Sequence, residues 1–274
     1  MEIKLIATDL DGTFFDNDHI TIPQRNIDAF KAAHDMGVKT AVASGRTKIL
    51  TDDILNQLPF LDYLVTSNGA VTYDIKNNCV ISSKLIENSQ TLKIFQILDS
   101  HGIPFEIYFD GKCYTSKESY KKYEEKNLQP IFLYVLKEFT TAVDDLSALI
   151  GNRGIEKINA MNLTAKEREM LENELRKTGE IYITSSFSDN LEMNNYYANK
   201  GFALRSLADA LGINSDNVMC FGDGENDCEM LSFAKYSFAM ENGSDYAKNS
   251  AKFITASNYR CGVAQAIEKY VLEK

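Results

Sequence analysis

The first thirteen residues, Met1-Glu-Ile-Lys-Leu-Ile-Ala-Thr-Asp9-Leu-Asp11-Gly-Thr13, restrict the fold more than any other stretch of the chain. An apolar run (Ile3, Leu5, Ile6, Ala7) ends in two aspartates one residue apart, and Gly12 then turns the backbone. Carboxylates are depleted in strands, so a pair at the end of one needs a reason. At the carboxyl end of a parallel strand they stand where open α/β sheets bind ligands. Two neighbouring anions persist there only with a cation or a shared proton. The pattern asks for a metal ion and a phosphate-like substrate. Taken alone, Asp-x-Asp-Gly reads equally as a calcium-binding or plain turn.

Three later segments repeat the form. Thr40 to Ala43 is an apolar strand ending in Ser44-Gly45-Arg46. Asn199-Lys200-Gly-Phe-Ala-Leu204 sets a lysine at a helix start, where it opposes the helix dipole and so invites a functional reason. Val218-Met-Cys-Phe-Gly222-Asp223-Gly-Glu-Asn226-Asp227 is another apolar strand running into a glycine turn with two carboxylates and an amide. Asp223 and Asp227 alone read as turn residues and a helix start, and Arg46 as a surface or ion-pair arginine.

Strands alternate with helices, which predicts a parallel sheet covered on both faces. Thr21-Ile-Pro23-Gln24 predicts a helix with a threonine cap and an early proline, stopping at Met36-Gly37. Val38 to Ala43 follows as strand, Thr47 to Gln57 as helix and Tyr63 to Thr66 as strand, with a hairpin from Val71 to Tyr73 and Val80 to Ser82. From about Lys84 the pattern changes. A helix from Ser89 to Ser100 precedes strands Ile103 to Phe109 and Lys112 to Thr115, joined at Asp110-Gly111, and shorter pieces continue to the segment Glu180 to Phe187. The mixture predicts an α+β unit inserted in the core. Asn199 to Leu211 then returns as helix and Asn217 to Phe221 as strand. The expected division is a core from residues 1–83 and 190–274, with the insert at 84–189.

The chain has 274 residues, enough for one large or two smaller cores. A formal net charge of -10 argues against nucleic-acid and anionic-membrane partners, which need clustered Lys and Arg. It is compatible with a phosphate substrate, because a metal and one lysine set the local field. Five cysteines without Cys-x-x-Cys pairing point to small buried thiols in a reducing compartment. With no signal sequence and no apolar run of membrane-spanning length, the expected location is cytoplasmic. The three histidines (His19, His34, His101) lack ligand spacing; His34 and His101 precede helix-stopping glycines, where a cap role is expected.

Asp-x-Asp-Gly-Thr, Ser-Gly-Arg, Lys-Gly and Gly-Asp-Gly-x-Asn-Asp, in this order, resemble the haloacid dehalogenase-like phosphatases. The long stretch from Arg46 to Lys200 resembles their Cof-type branch, which carries a large inserted cap. The resemblance implies a doubly wound, Rossmann-like parallel-sheet core with an inserted α+β cap over the active site. It also implies a magnesium-dependent phosphatase of small phosphorylated metabolites such as sugar phosphates. Asp9 is then the nucleophile that forms an aspartyl phosphate, and Asp11, two residues on along the strand, is the acid and then the base. Magnesium would be held by the Asp9 carboxylate, the Asp11 main-chain carbonyl, Asp223 and waters. Asp227 would ligate directly, ligate through water, or orient Lys200. Lys200, Ser44, the Gly45 and Leu10 amides and the Asn226 side chain would hold phosphoryl oxygens.

Small departures from the family pattern are Glu241 in Ala239-Met-Glu-Asn242, where glycine is frequent, and Tyr259 and Arg260 in the terminal Asn258-Tyr-Arg-Cys-Gly262-Val loop, where acidic residues are. Tyr108, Asp110, Lys112, Tyr114 and Asn159 are the cap candidates for substrate contacts. Two other readings compete. A phosphosugar mutase would need more cap arginine than Arg153, Arg168 and Arg176. A catalytically idle phosphometabolite-binding regulator would have no use for Asp9, Asp11, Lys200 and Asp223 together.

Overall fold

The structure, a computed structural model, describes every residue except Met1, Asn127, Gln129, Glu180, Ser186 and Lys274, and the side chain of Ile131. In chain order the strands are β1 (Leu5–Thr8), β2 (Lys39–Ala43), β3 (Tyr63–Thr66), β4 (Val71–Asp74), β5 (Cys79–Ser83), β6 (Phe105–Phe109), β7 (Lys112–Ser116), β8 (Thr140–Val143), β9 (Lys157–Ala160), β10 (Ile181–Thr184), β11 (Leu191–Asn195), β12 (Val218–Gly222), β13 (Tyr236–Met240) and β14 (Phe253–Thr255). The chain divides into two compact units, one of residues 1–45, 51–83 and 199–274, the other of residues 46–50 and 84–198.

The first unit is built on an eight-stranded sheet in the order β14-β13-β12-β1-β2-β3-β4-β5. Its strands are parallel from β14 to β3, and the β4–β5 hairpin closes one edge antiparallel. Alternate residues supply two apolar faces. Ile6, Val42, Leu64, Phe221 and Phe238 pack with Phe30 and Ile267, from helices Gln24–Asp35 and Gly262–Ile267. On the other face Leu5, Ala7, Ala41, Ala43 and Cys220 meet Ala203, Leu204 and Leu207 of helix Lys200–Ala210. This is the doubly wound core expected of strands that are apolar throughout. The chain runs from β1 outward to β3 and returns on the other side through β12 to β14. The change of direction at β1 makes its carboxyl end a switch point, where such sheets bind ligands.

The second unit is a six-stranded sheet in the order β10-β11-β9-β6-β7-β8, antiparallel except where β7 and β8 run together. One face is apolar: Phe105, Ile107, Ile158, Ala160, Leu191 and Met193 pack on Ile94, Phe95, Leu98, Leu171 and Leu175 from helices Asn88–Ser100 and Ala165–Leu175. The alternate positions Glu106, Tyr108, Lys157, Asn159, Glu192 and Asn194 form a polar face, and all are buried.

The expected boundary at residue 190 moves to 199 because β11 lies between β9 and β10 and completes the second sheet. The Arg46–Leu50 segment joins the same unit: the Ile49 amide donates to the Gly111 carbonyl at 2.9 Å, and the Thr47 hydroxyl to Glu156 at 3.1 Å. The single helix expected from Thr47 to Gln57 is accordingly a turn, Lys48–Thr51, followed by helix Asp52–Gln57. Thr21 does not cap the first helix. Pro23 occupies that position without a side-chain bond, while the Thr21 amide is taken by Asp18 at 2.8 Å. Gly37 does end the helix, with φ 89°. The Asp110-Gly111 hairpin also forms, both residues left-handed. Of the segment Glu180 to Phe187, Ile181–Thr184 is strand, while Glu180 and Ser186 lie outside the described residues. His101 ends its helix with Nε2 2.7 Å from the Glu174 carboxylate, so its ring pairs with an acid instead of capping carbonyls.

Candidate active site

The parallel strands β12, β1, β2 and β3 are adjacent and in register, Thr8 facing both Phe221 and Val42, and Ala43 facing Val65. Their carboxyl ends therefore set four segments along one edge: Asp223 after β12, Asp9 after β1, Ser44 after β2, and Ser67-Asn68 after β3. Lys200 approaches from the start of its helix, whose N-terminus is capped by Asn199 accepting the Phe202 amide at 2.9 Å. Asn199 thus satisfies the helix end that the lysine does not.

Lys200 Nζ lies 2.6 Å from Asp9 Oδ1 and 2.7 Å from Asp227 Oδ1, and the lysine is 1% exposed. Asp227 uses its other oxygen to accept the amides of Asp223 and Gly224. Asp223 Oδ1 accepts a hydrogen bond from the Thr13 hydroxyl at 2.9 Å. Gly12, at φ 77°, is what lets this carboxylate come so close, since a Cβ there would overlap it. Gly69 plays the same part at the helix start: a Cβ would stand 2.5 Å from the Asn199 carbonyl oxygen.

One ammonium against three carboxylates leaves this buried cluster anionic. Burial pushes the Asp9 carboxyl well above the usual carboxylate range; Lys200 opposes this, and Asp227, Asp223 and Asp11 add to it. Burial likewise pushes Asp223 up to about 7, reinforced by Asp227 and opposed by the Thr13 hydrogen bond. Burial disfavours the charged form of Lys200, but Asp227 and Asp9 outweigh it and hold the ammonium above its ordinary value. Oxygen atoms of Asp9, Asp223 and Asp227 all lie within 4.8 Å of one another. Hard carboxylate donors with excess negative charge suit a divalent cation of the magnesium type.

The remaining predicted residues are distributed around this centre. Leu10 turns its side chain into the core, and its carbonyl accepts the amides of Thr13, Phe14 and Phe15, which closes the loop after β1. Ser44 is buried, its amide bonded to the Val65 carbonyl, and Gly45 follows it. Asn226 is buried, and its side-chain amide donates to Asn68 Oδ1 at 3.2 Å. The Asp11 carboxylate meets His19. Glu241 and Arg260, two of the departures, pair with each other at 3.1 Å on the surface.

The insert candidates separate. Tyr108 and Asn159 share the polar face of the second sheet, where Tyr108 donates to Glu106 at 3.3 Å. Tyr114 packs against the apolar cluster. Asp110 is exposed at the hairpin tip and paired with Arg153 at 2.9 Å, and Lys112 is exposed.

Thr13, His19, Asn68, Asn242 and Asn258 were not read from sequence as site residues. Asn242 donates to the Gly12 carbonyl at 2.8 Å, and Asn258 to the Phe15 carbonyl at 3.1 Å, so the last loops staple the first.

A sequence profile of haloacid dehalogenase-like hydrolases matches residues 6–267. The 5-amino-6-(5-phospho-D-ribitylamino)uracil phosphatase YcsE of Bacillus subtilis is 31% identical over 272 residues, spanning 99% of this chain and 97% of its own. A second B. subtilis protein of that activity, YwtE, is 29% identical over 284 residues, spanning 97% and 98%. The solved structure of a haloacid dehalogenase-like hydrolase from B. subtilis superposes with a TM-score of 0.85 at 23% identity, covering 98% of this chain and 100% of the other. Among the described residues no helix is long and apolar enough to cross a membrane.

Proposed function

The chain belongs to the haloacid dehalogenase-like hydrolases and is a phosphatase of that family, and we propose that it is a magnesium-dependent enzyme working through a phosphorylated Asp9. The observation that carries this reading is the Asp9 carboxylate, 2.6 Å from a buried lysine and beside two further acids at the switch point. Asp9, Asp223 and the main-chain carbonyl of Asp11 would hold the ion. Bound there, magnesium supplies the positive charge that lets an anionic nucleophile approach an anionic phosphoryl group.

Asp9 attacks phosphorus, and the bond to the leaving oxygen breaks as Asp11 gives that oxygen a proton. Lys200 faces the charge on the transferring group and is kept in place by Asp227. Ser44, the Gly45 and Leu10 amides and Asn226 hold the remaining phosphoryl oxygens. Asp11 then takes a proton from the water that attacks phosphorus, and Asp9 leaves as a carboxylate.

For the substrate, we propose a phosphorylated ribitylamino-pyrimidine of the kind in the names of YcsE and YwtE. One turnover in ordinary water, with enzyme carboxylates labelled in heavy oxygen, should release labelled phosphate. Unlabelled phosphate would remove Asp9 as nucleophile. A panel of this compound, sugar phosphates, flavin mononucleotide and pyridoxal phosphate tests the substrate, and a higher kcat/KM for any other member rejects it.

A further inference from the structure

Asp11 has a partner that its motif does not include. His19 Nδ1 lies 3.0 Å from Asp11 Oδ1, the two side chains being 39% and 34% exposed. His19 adopts φ 58°, a left-handed conformation uncommon for L-residues, though histidine is enriched among those that adopt it. The loop that holds it there is closed by its own bonds. The His19 amide donates to the Asp16 carbonyl at 3.1 Å, and the Asp16 amide to the Thr21 carbonyl at 2.9 Å. Asp18 accepts the Ile20 and Thr21 amides at 2.9 and 2.8 Å. Asn258 grips the base of the loop through the Phe15 carbonyl and the Asn17 side chain. An unfavoured backbone held this firmly needs a purpose, and what it achieves is to aim one ring nitrogen at Asp11.

We propose that His19 is a positioning residue for Asp11. A carboxylate accepts and does not donate, so in the neutral ring Nδ1 carries the hydrogen. Pinning Oδ1 stops the planar carboxylate from rotating about its Cβ–Cγ bond. Oδ2 is then the oxygen that exchanges a proton with the leaving group and afterwards with water. The inference rests on Asp11 being the acid–base group proposed above.

Substitution can separate this role from a merely structural one. Asparagine places its amide nitrogen where histidine has Nδ1 and tolerates positive φ. Glutamine carries its amide one carbon further out. The experiment compares His19→Asn, His19→Gln and Asp11→Asn in the full chain, using kcat/KM for 4-nitrophenyl phosphate and phenyl phosphate. The nitrophenolate leaves without a proton and phenolate leaves poorly. His19→Gln should lower kcat/KM for phenyl phosphate about tenfold and change the nitrophenyl value less than about twofold. His19→Asn should stay close to the parent on both, and Asp11→Asn should show the same bias as His19→Gln, more strongly.

If Asp11→Asn shows the bias and the His19 variants do not, His19 has no positioning role. Equal losses on both substrates, or His19→Asn no better than His19→Gln, also overturn the proposal. If Asp11→Asn itself shows no bias, the acid–base reading of Asp11 falls and takes the proposal with it. His19 is on an exposed turn, and thermal unfolding of each variant shows that the fold is kept.

Discussion

Asp227 holds Lys200 with one carboxylate oxygen, Oδ1 standing 2.7 Å from Nζ, and with the other accepts the amides of Asp223 and Gly224 at 3.0 and 2.9 Å. A single buried side chain thus fixes both the lysine and the loop that carries Asp223. These contacts are those of an orienting residue, one of the three roles open for Asp227.

Asp227→Ala should therefore damage stability as well as rate. It leaves two amides without their acceptor and the buried ammonium with Asp9 as its remaining carboxylate contact. Breaking one side of a buried ion pair costs about 3–5 kcal/mol, readable as a lowered urea midpoint. Asp227→Asn keeps an acceptor oxygen and should lose less. Equal stability of the alanine variant and the parent would contradict this account.

The first sheet and the centre of the site were legible because each rests on local sequence. An apolar strand ending in a turn with a carboxylate or hydroxyl announces itself at Asp9, Ser44 and Asp223, and Lys200 stands out as a cation at a helix start. What escaped depends on which strands are neighbours. Asn68 matters because β3 lies two strands from β1, bringing its side-chain oxygen to the Asn226 amide. Thr13 matters because Gly12 lets Asp223 approach. The residue 190 boundary failed because β11 is short and its polar positions face a buried polar surface, so no composition change marks where the second sheet ends. The split at Thr51 escaped because the tertiary grouping of Arg46–Leu50 with the second unit is what separates the turn from the helix.

Chelation should abolish phosphate release from an aryl phosphate, and magnesium should restore it. Three acids against one lysine leave the site short of positive charge. Calcium should restore little, because its larger and looser coordination shell misplaces the nucleophile. Undiminished turnover by chelator-treated protein would remove the ion from the reaction.

Asn68→Ala should weaken the proposed phosphate site without dismantling it. The Asn226 side-chain amide loses the 3.2 Å bond that points it. A neutral hydrogen bond contributes about 1 kcal/mol, so inhibition by inorganic phosphate should weaken roughly fivefold. The readout is the inhibition constant at fixed magnesium. An unchanged constant would show that Asn226 is aimed by other contacts.

Glu106 makes the second unit's stability depend on pH. Its side chain is buried on the polar face, Oε1 accepting from Thr140 at 2.8 Å and Oε2 from Tyr108 at 3.3 Å. Burial raises its pKa from 4.5 to about 7, against the opposing pull of those two hydrogen bonds and of Lys157. Between these values the folded protein keeps a proton that the unfolded chain has released. The stabilisation is therefore complete below about pH 4.5, declines as pH rises, and is gone above about 7. At 1.36 kcal/mol per pH unit the whole change is about 3 kcal/mol. Glu106→Gln removes the titration and should flatten this component, so that the variant gains on the parent as pH rises from 5 to 8. Urea unfolding at intervals across that range measures it, and a stability difference that does not vary with pH would show that Glu106 titrates alike in the folded and unfolded chains.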